Sequence, residues 1–255
     1  MRNEFITAET RESIGIITIN NPKNLNAVNA KILQELAEQI KEYNDNNKIL
    51  CIVLKGIEKS FAAGLDIKEI AANLNQAKTM MEDMQQNFQV LAAAKKPLIA
   101  AVSGFVLGAG CEIVLACDIV LATDNAKFGL PELSIGLLPC FGGVNTLISR
   151  IGKAKAMDML LTGKALTADE AERAGLVSRI VNESSLEEEY IKIGRRIAAL
   201  PKNTVALLKK LIFETNKNQN VLLENVLSRY CLDSDDFKNS LANFAAKTTS
   251  TPPNA

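Results

Sequence analysis

Whatever chemistry this chain performs is concentrated in two carboxylates and two glycine-bearing turns. Glu112 follows Gly108-Ala109-Gly110 inside an almost uniformly apolar run, residues 97–122. Glu132 comes directly after Pro131 in Phe128-Gly129-Leu130-Pro131, again in apolar company. The second turn is Ala63-Gly64-Leu65-Asp66. A helix that begins at a glycine-rich turn presents unpaired backbone N–H groups, with the positive end of its dipole behind them. Such donors can polarise a carbonyl, and a carboxylate beside them can move protons on the neighbouring atoms. The same residues also describe a buried core hairpin with a single acid in it, and the 97–122 stretch alone does not choose between the two.

Composition narrows the chemistry. There is no histidine among the 255 residues, which excludes Ser–His–Asp and Cys–His catalysis and the usual zinc sites. Acid–base work near neutral pH therefore falls to carboxylates, Lys, Tyr or Cys. The five cysteines, at 51, 111, 117, 140 and 231, are odd in number, dispersed and without a C-x-x-C pair. They predict buried free thiols in a reducing cytosol rather than a disulfide framework or a metal site. Lys plus Arg equals Asp plus Glu at 29 each, so no global field draws nucleic acid or an anionic membrane. The first residues carry no apolar targeting segment, and a cytoplasmic location is expected. The 97–122 run is long enough to span a bilayer, but two acids and a glycine-rich break argue against that.

The elements that must position these groups alternate. Two strands are predicted over residues 4–20, turning at 11–13, with the β-branched run 14–19 as the second. A helix from about residue 29 has Ile32, Leu33, Leu36, Ala37 and Ile40 at helical spacing. Residues 50–54 read as a short buried strand, 75–94 as a helix, and 97–102 as a fully buried strand, because alternation is absent there. Ser103-Gly104 breaks that strand, and a helix opens at Gly108. Residues 118–123 are a further strand. Helices are predicted up to residue 150 and over 153–161, and a capping box at Thr167–Glu170 starts one that Gly175 ends. A strand at 176–181 follows, then a helix capped by Ser185 and Glu188 and running to about residue 200. The two glycine-bearing turns are expected directly after the adjacent strands 50–54 and 97–102. Ligands in alternating folds sit at the carboxyl ends of strands, where such turns gather. From residue 204 onward the pattern is helical only, over 204–215, 221–231 and 235–246. Such a layer must cover its apolar face with the main body or another subunit, and a subunit interface is the reading preferred here. No repeat at a solenoid period is visible.

Phe61-Ala62-Ala63-Gly64-Leu65-Asp66-Ile67-Lys68-Glu69, then 97–112 ending in Gly108-Ala109-Gly110-Cys111-Glu112, then Cys117-Asp118-Ile119 and Phe128–Glu132, closely resemble the crotonase (enoyl-CoA hydratase/isomerase) superfamily over residues 5–247. A dinucleotide loop is disfavoured, since Ile113 stands where its third glycine would be. The resemblance implies an α/β fold: a spiral of ββα units over residues 1–195 that holds the active site, followed by a helical oligomerisation region over 196–255. It implies a homotrimer, or a homohexamer built as a dimer of trimers. It also implies that the backbone N–H groups of Leu65 and Ala109 form an oxyanion hole for the thioester carbonyl of an acyl-CoA.

Glu112 and Glu132 match the two glutamates of enoyl-CoA hydratases: Glu112 would hold and activate water, and Glu132 would protonate the α-carbon. Ala63, Gly64, Asp66, Ile67, Lys68 and Cys140 fall along the substrate, and Lys247 matches a lysine that reaches the CoA of a neighbouring subunit. Asp66 and Asp118 also read as caps for local N–H groups. No metal and no cofactor are expected, CoA being part of the substrate. Three positions depart from the family pattern: Leu65 for alanine, Ala109 for the middle glycine, and Cys140 for a glycine, where cysteine would be strained if φ were positive. The function implied is hydration of a short- or medium-chain trans-2-enoyl-CoA. The alternatives are a Δ3,Δ2-enoyl-CoA isomerase and a non-catalytic RNA-binding or scaffolding protein of the same fold.

Overall fold

The computed structural model describes residues 4–57, 59–216 and 221–249. Two sheets run through it. The larger is made of β1 (Ile6–Arg11), β2 (Ile14–Ile19), β3 (Cys51–Lys55), β5 (Leu98–Val102), β7 (Ile119–Thr123) and β10 (Arg179–Val181), paired in that order. The smaller is β4 (Ser60–Ala62), β6 (Phe105–Leu107), β8 (Lys127–Gly129) and β9 (Leu166–Thr167). Only β1–β2 and β8–β9 are antiparallel. The chain climbs from one sheet to the other three times: β3 to β4, β5 to β6, β7 to β8, each climb followed by helical structure. Those helices are α2 (Ile67–Ala72) and α3 (Ala77–Ala92), then α4 (Ala109–Leu115), then α5 (Gly143–Ile151). This is the expected ββα spiral. Its repeat is invisible in sequence because each turn of it buries different side chains.

The continuous apolar runs have a direct cause. Successive residues of a strand point to opposite faces, and both faces of the larger sheet are covered. Ile17, Ile19, Ile52, Leu54, Leu98, Ala100 and Val102 enter the main core with α1 (Ala30–Asp45) and α3. The intervening Ile16, Val53, Ile99 and Ala101 pack against Tyr190 and Ile193 of α8 (Leu186–Ala198) on the other face. Neither face of β2, β3 or β5 meets water, so alternation has nothing to record there, whereas the edge strand β1 is largely exposed.

Most predicted elements are present. Asn29 caps α1 by accepting from the Ile32 N–H at 2.7 Å. The capping box of α7 (Ala168–Ala174) is complete, and Gly175 ends that helix in the left-handed conformation. Three expectations need correction. Ser185 precedes α8 but makes no side-chain cap bond; a short 3-10 turn over Glu183–Ser185 leads in instead. The strand expected over 176–181 shrinks to β10, because Leu176 and Val177 are buried in the turn after α7. The glycine turns do not follow β3 and β5 directly, since β4 and β6 intervene. Beyond α6 (Lys153–Thr162) and α8 the chain is helical: α9 (Lys202–Asn216), α10 (Val221–Cys231) and α11 (Asp235–Thr249). Among the described residues no helix is long and apolar enough to cross a membrane.

One buried side chain fastens the frame beneath the site. Asn26 is fully buried with φ at +57°, a conformation asparagine tolerates better than most residues. Its Oδ1 accepts from the Asn21 N–H at 2.7 Å. Its Nδ2 donates to the carbonyls of Ile19, Ser60 and Phe61 at 3.0–3.1 Å. It therefore ties the end of β2 to β4, just ahead of the Ala63–Asp66 turn. Asn26→Ala removes every one of these bonds from a site water does not reach, and each buried group left unsatisfied costs ~1–3 kcal/mol. The urea midpoint of the Asn26→Ala variant should drop by an amount corresponding to several kcal/mol; a change within error would show that the network carries little.

Candidate active site

The three parallel strands β4, β6 and β8 lie side by side, and each ends in residues singled out from the sequence. β4 runs into Ala63-Gly64-Leu65, β6 into Gly108-Ala109, and β8 into Leu130-Pro131-Glu132. Sequence positions far apart thus share one edge of the small sheet.

The first two turns touch. Gly64 has φ +106° and Gly108 has φ +50°, a region L side chains rarely adopt. A Cβ placed on Gly108 would lie 3.2 Å from Gly64 Cα and 3.0 Å from Glu132 Oε1. The missing side chain at Gly108 lets the two turns and the Glu132 carboxylate approach, while at Gly64 the positive φ rather than space favours glycine. Val28 N–H donates to Gly64 O at 2.7 Å, and Asp66 N–H donates to Val28 O at 2.9 Å. Because the backbone alternates, the Leu65 N–H between them faces away from Val28. Ala109 is the first residue of α4, a position whose N–H has no acceptor within the helix. Ala109 is absent from the positive-φ residues, so it stands in for glycine without strain.

Glu112 lies one turn into α4 and is 1 % exposed. Its Oε1 accepts from the N–H groups of Phe141 at 2.8 Å and Gly143 at 2.9 Å. Its Oε2 accepts from the Cys140 N–H at 3.3 Å, with the Cys140 thiol 3.9 Å away. Gly143 opens α5, so the carboxylate sits at that helix's positive end. The loop keeps this shape because Phe141 stacks on Phe88 of α3, ring centroids 4.9 Å apart. Cys140 has no positive φ, so the feared strain is absent. Glu132 is 6 % exposed, at the start of a 3-10 turn over Glu132–Ile135. Both carboxylates act on the same buried thiol: burial pushes Cys111 far up, and the charges of Glu132 and Glu112 push further.

The remaining expected residues divide. Asp66 caps α2, Oδ1 accepting from Lys68 N–H at 3.1 Å and Glu69 N–H at 3.3 Å, while Oδ2 accepts from Asn24 at 3.2 Å. Asp118 accepts from the Leu98 N–H and from Lys209, each at 2.7 Å. Leu65 and Ile67 are half-buried against the core, Ala63 is half-buried, Gly64 is buried and the Lys68 side chain is exposed. The side chain of Lys247 lies outside the described residues. A cavity of about 820 Å³ reaches Glu112, Phe141 and Gly143 but not Leu65, Ala109 or Glu132. It is the space α9 leaves above α3, α4 and α5, on the other side of Glu112 from the two turns. Gln85 and Asn26 are not among the residues singled out from the sequence. Gln85 had a signal: it is polar within the apolar stripe Met81, Met84, Phe88, Leu91 of α3.

Backbone N–H groups at two adjoining turns, beside two buried carboxylates, can polarise a carbonyl and move protons on the atoms next to it. The comparisons with known proteins make this specific. The model of the family "Enoyl-CoA hydratase/isomerase" matches residues 9–251, and the chain belongs to that family. The chain is 40% identical over 250 residues to a "Probable enoyl-CoA hydratase" of Rhizobium meliloti, covering 97% of each chain. It is 35% identical to the "Short-chain-enoyl-CoA hydratase" of Clostridium acetobutylicum, covering 95% of each. The solved enoyl-CoA hydratase/isomerase of Pseudoalteromonas atlantica superposes with a TM-score of 0.87 at 29% identity, over 99% of this chain and 100% of that one.

The thiols give a direct check on burial. Desolvation raises Cys51 and Cys117 to about 12 and Cys111 further. A thiol at 12 is ionised in only ~1 molecule in 10⁴ at pH 8. Cys231 is the only cysteine that is not buried. Native protein at pH 8 should therefore react with a thiol reagent at about one site quickly, and at all five only after unfolding. Two or more fast sites in native protein would contradict this burial.

Proposed function

We propose that this protein hydrates the 2,3 double bond of a short- or medium-chain trans-2-enoyl-CoA. The observation that supports the reading is the close approach of the Gly64 and Gly108 turns and the Glu132 carboxylate beyond three adjacent strands, with Glu112 one helical turn behind Ala109. In this reading the thioester oxygen accepts from the two N–H groups. The Glu112 carboxylate takes a proton from water as its oxygen bonds to the β-carbon. The π electrons shift toward the thioester, and the negative charge that develops on its oxygen is held by the donors. Glu132, protonated, then delivers its proton to the α-carbon; passage of the water proton from Glu112 back to Glu132 restores both carboxylates, so one turnover adds the atoms of one water. Bonds from three backbone N–H groups favour the ionised form of Glu112, as the role of base demands. The pathway for CoA along Ala63, Gly64, Asp66, Ile67, Lys68, Cys140 and Lys247 belongs to this proposal. So does a reducing, cytoplasmic setting, which the buried free thiols suit.

The helices of residues 196–255 are proposed to join three copies, or six as a pair of trimers. Leu207, Leu208, Leu211 and Ile212 of α9 are each more than half exposed, an apolar face the chain does not cover by itself. Light scattering should give three or six times the chain mass, and Leu208→Asp with Leu211→Asp should lower it. A wild-type monomer would overturn the assembly.

Crotonyl-CoA should lose its conjugated absorbance on incubation with the protein. Glu112→Gln and Glu132→Gln should each lower kcat by ~10²–10⁴ while leaving the thermal midpoint near wild type. Near-normal turnover in either variant would reject the two-carboxylate reading. If a 3-enoyl-CoA is converted to the conjugated isomer with no 3-hydroxy product, the protein is the isomerase instead.

A further inference from the structure

We infer that Gln85 is a positioning residue, one that makes the Glu112-holding loop depend on the docking of a C-terminal helix. Gln85 lies on α3, 5 % exposed, three residues before the Phe88 that stacks on Phe141. Its Nε2 donates to Cys140 O at 2.9 Å, to Ser228 Oγ at 3.3 Å and, more weakly, to Asn225 O at 3.5 Å. Two of these partners are carbonyls that can only accept, which fixes the amide orientation. Ser228 is 2 % exposed and spends its own proton on Asn225 O at 3.0 Å, leaving its lone pairs for Gln85. One amide thus bridges Cys140, whose N–H donates to Glu112, and the second and third turns of α10.

A methionine or leucine at this place in the α3 stripe would pack as well without a polar bridge, so burial does not demand a glutamine. What the amide adds is direction. With its carbonyl held, the Cys140 peptide cannot rotate without losing a buried bond, and the next N–H groups, Phe141 and Gly143, stay aimed at Glu112. The ion pairs Arg229–Glu82 and Lys78–Asp233 join the same C-terminal segment to α3, but at the surface, where such pairs contribute little. Among the described residues the amide is the buried side-chain bond from α3 that joins α10 to the Cys140 carbonyl, beside the Cys231 thiol at Leu138. No side chain of α10 needs to touch the substrate.

The kinetic part rests on the hydratase reading; the exchange part does not. Gln85→Met keeps the length and approximate volume and removes the bridge. Hydrogen exchange of the Phe141 and Gly143 amides should accelerate ~10-fold or more, while amides of β5 keep their protection. With crotonyl-CoA, kcat should fall ~10-fold with KM within ~2-fold, since the carboxylate rather than the binding surface is misaligned. Ser228→Ala should move both readouts the same way, Ser228→Thr should restore them, and the double variant should be less than additive. Unchanged exchange at Phe141 and Gly143 in Gln85→Met overturns the inference. So does a rise in KM with kcat intact. If Gln85→Met does not fold, Ser228→Ala and Ser228→Thr decide alone, and equal behaviour of the two overturns it. A wild-type protein inactive on every enoyl-CoA rejects the hydratase reading, and the exchange result still decides the role of Gln85.

Discussion

Two glycine backbones in contact are the constraint on which this structure depends. Gly64 and Gly108 follow neighbouring strands of the small sheet, both with positive φ, and a Cβ on Gly108 would press on Gly64 Cα at 3.2 Å. The contact sets the spacing between the Leu65 and Ala109 N–H groups, and it admits the Glu132 carboxylate to the same corner. Everything further out supports this approach. Asn26 and Val28 clamp the chain on one side of the Gly64 turn. On the other side, Gly108 N–H donates to Gly129 O at 2.9 Å and keeps β6 aligned with β8.

Glu112 shows how a buried acid and a loop can hold each other in place. A carboxylate buried this deeply would be unaffordable without partners, because desolvation of a charge costs several kcal/mol. Here the loop from Cys140 to Gly143 turns its N–H groups inward and supplies the hydrogen bonds water would have made. The dependence runs both ways: those N–H groups, at the start of α5, have no helical acceptors of their own. Removing the carboxylate would orphan the loop, and moving the loop would detune the carboxylate. The loop is held in turn by α3, through a ring stack and one amide bond.

Much of this was legible in the chain. β2, β3 and β5 declared themselves by β-branched or apolar runs, α1 and α3 by their period, and α7 by its capping box. The two turns and two glutamates could be named because glycines and acids are conspicuous in apolar surroundings. The strands β4, β6 and β8 were not legible. Each has only three residues, too few for any period, and Phe105 and Lys127 at their starts are exposed. Gln85 was marked only as the polar residue in an apolar stripe, and the stripe does not say which partners it meets. Ser185 misled in the other direction: its type suits a cap, but a 3-10 turn already supplies the lead into α8.

The sequence by itself determined which groups are available for chemistry and which are not. It holds no imidazole, two acids in apolar context and two glycine turns, and local chemistry follows from residue type. Only the tertiary structure decided that these groups meet. Parallel pairing of β4, β6 and β8 brings residues 64, 108 and 132 to one edge, and the loop at 140–143 folds back onto residue 112. Those contacts join positions tens of residues apart. Their geometry depends on hydrogen-bond register and on the absence of a Cβ at the closest approach, and neither is a property of any local stretch of chain.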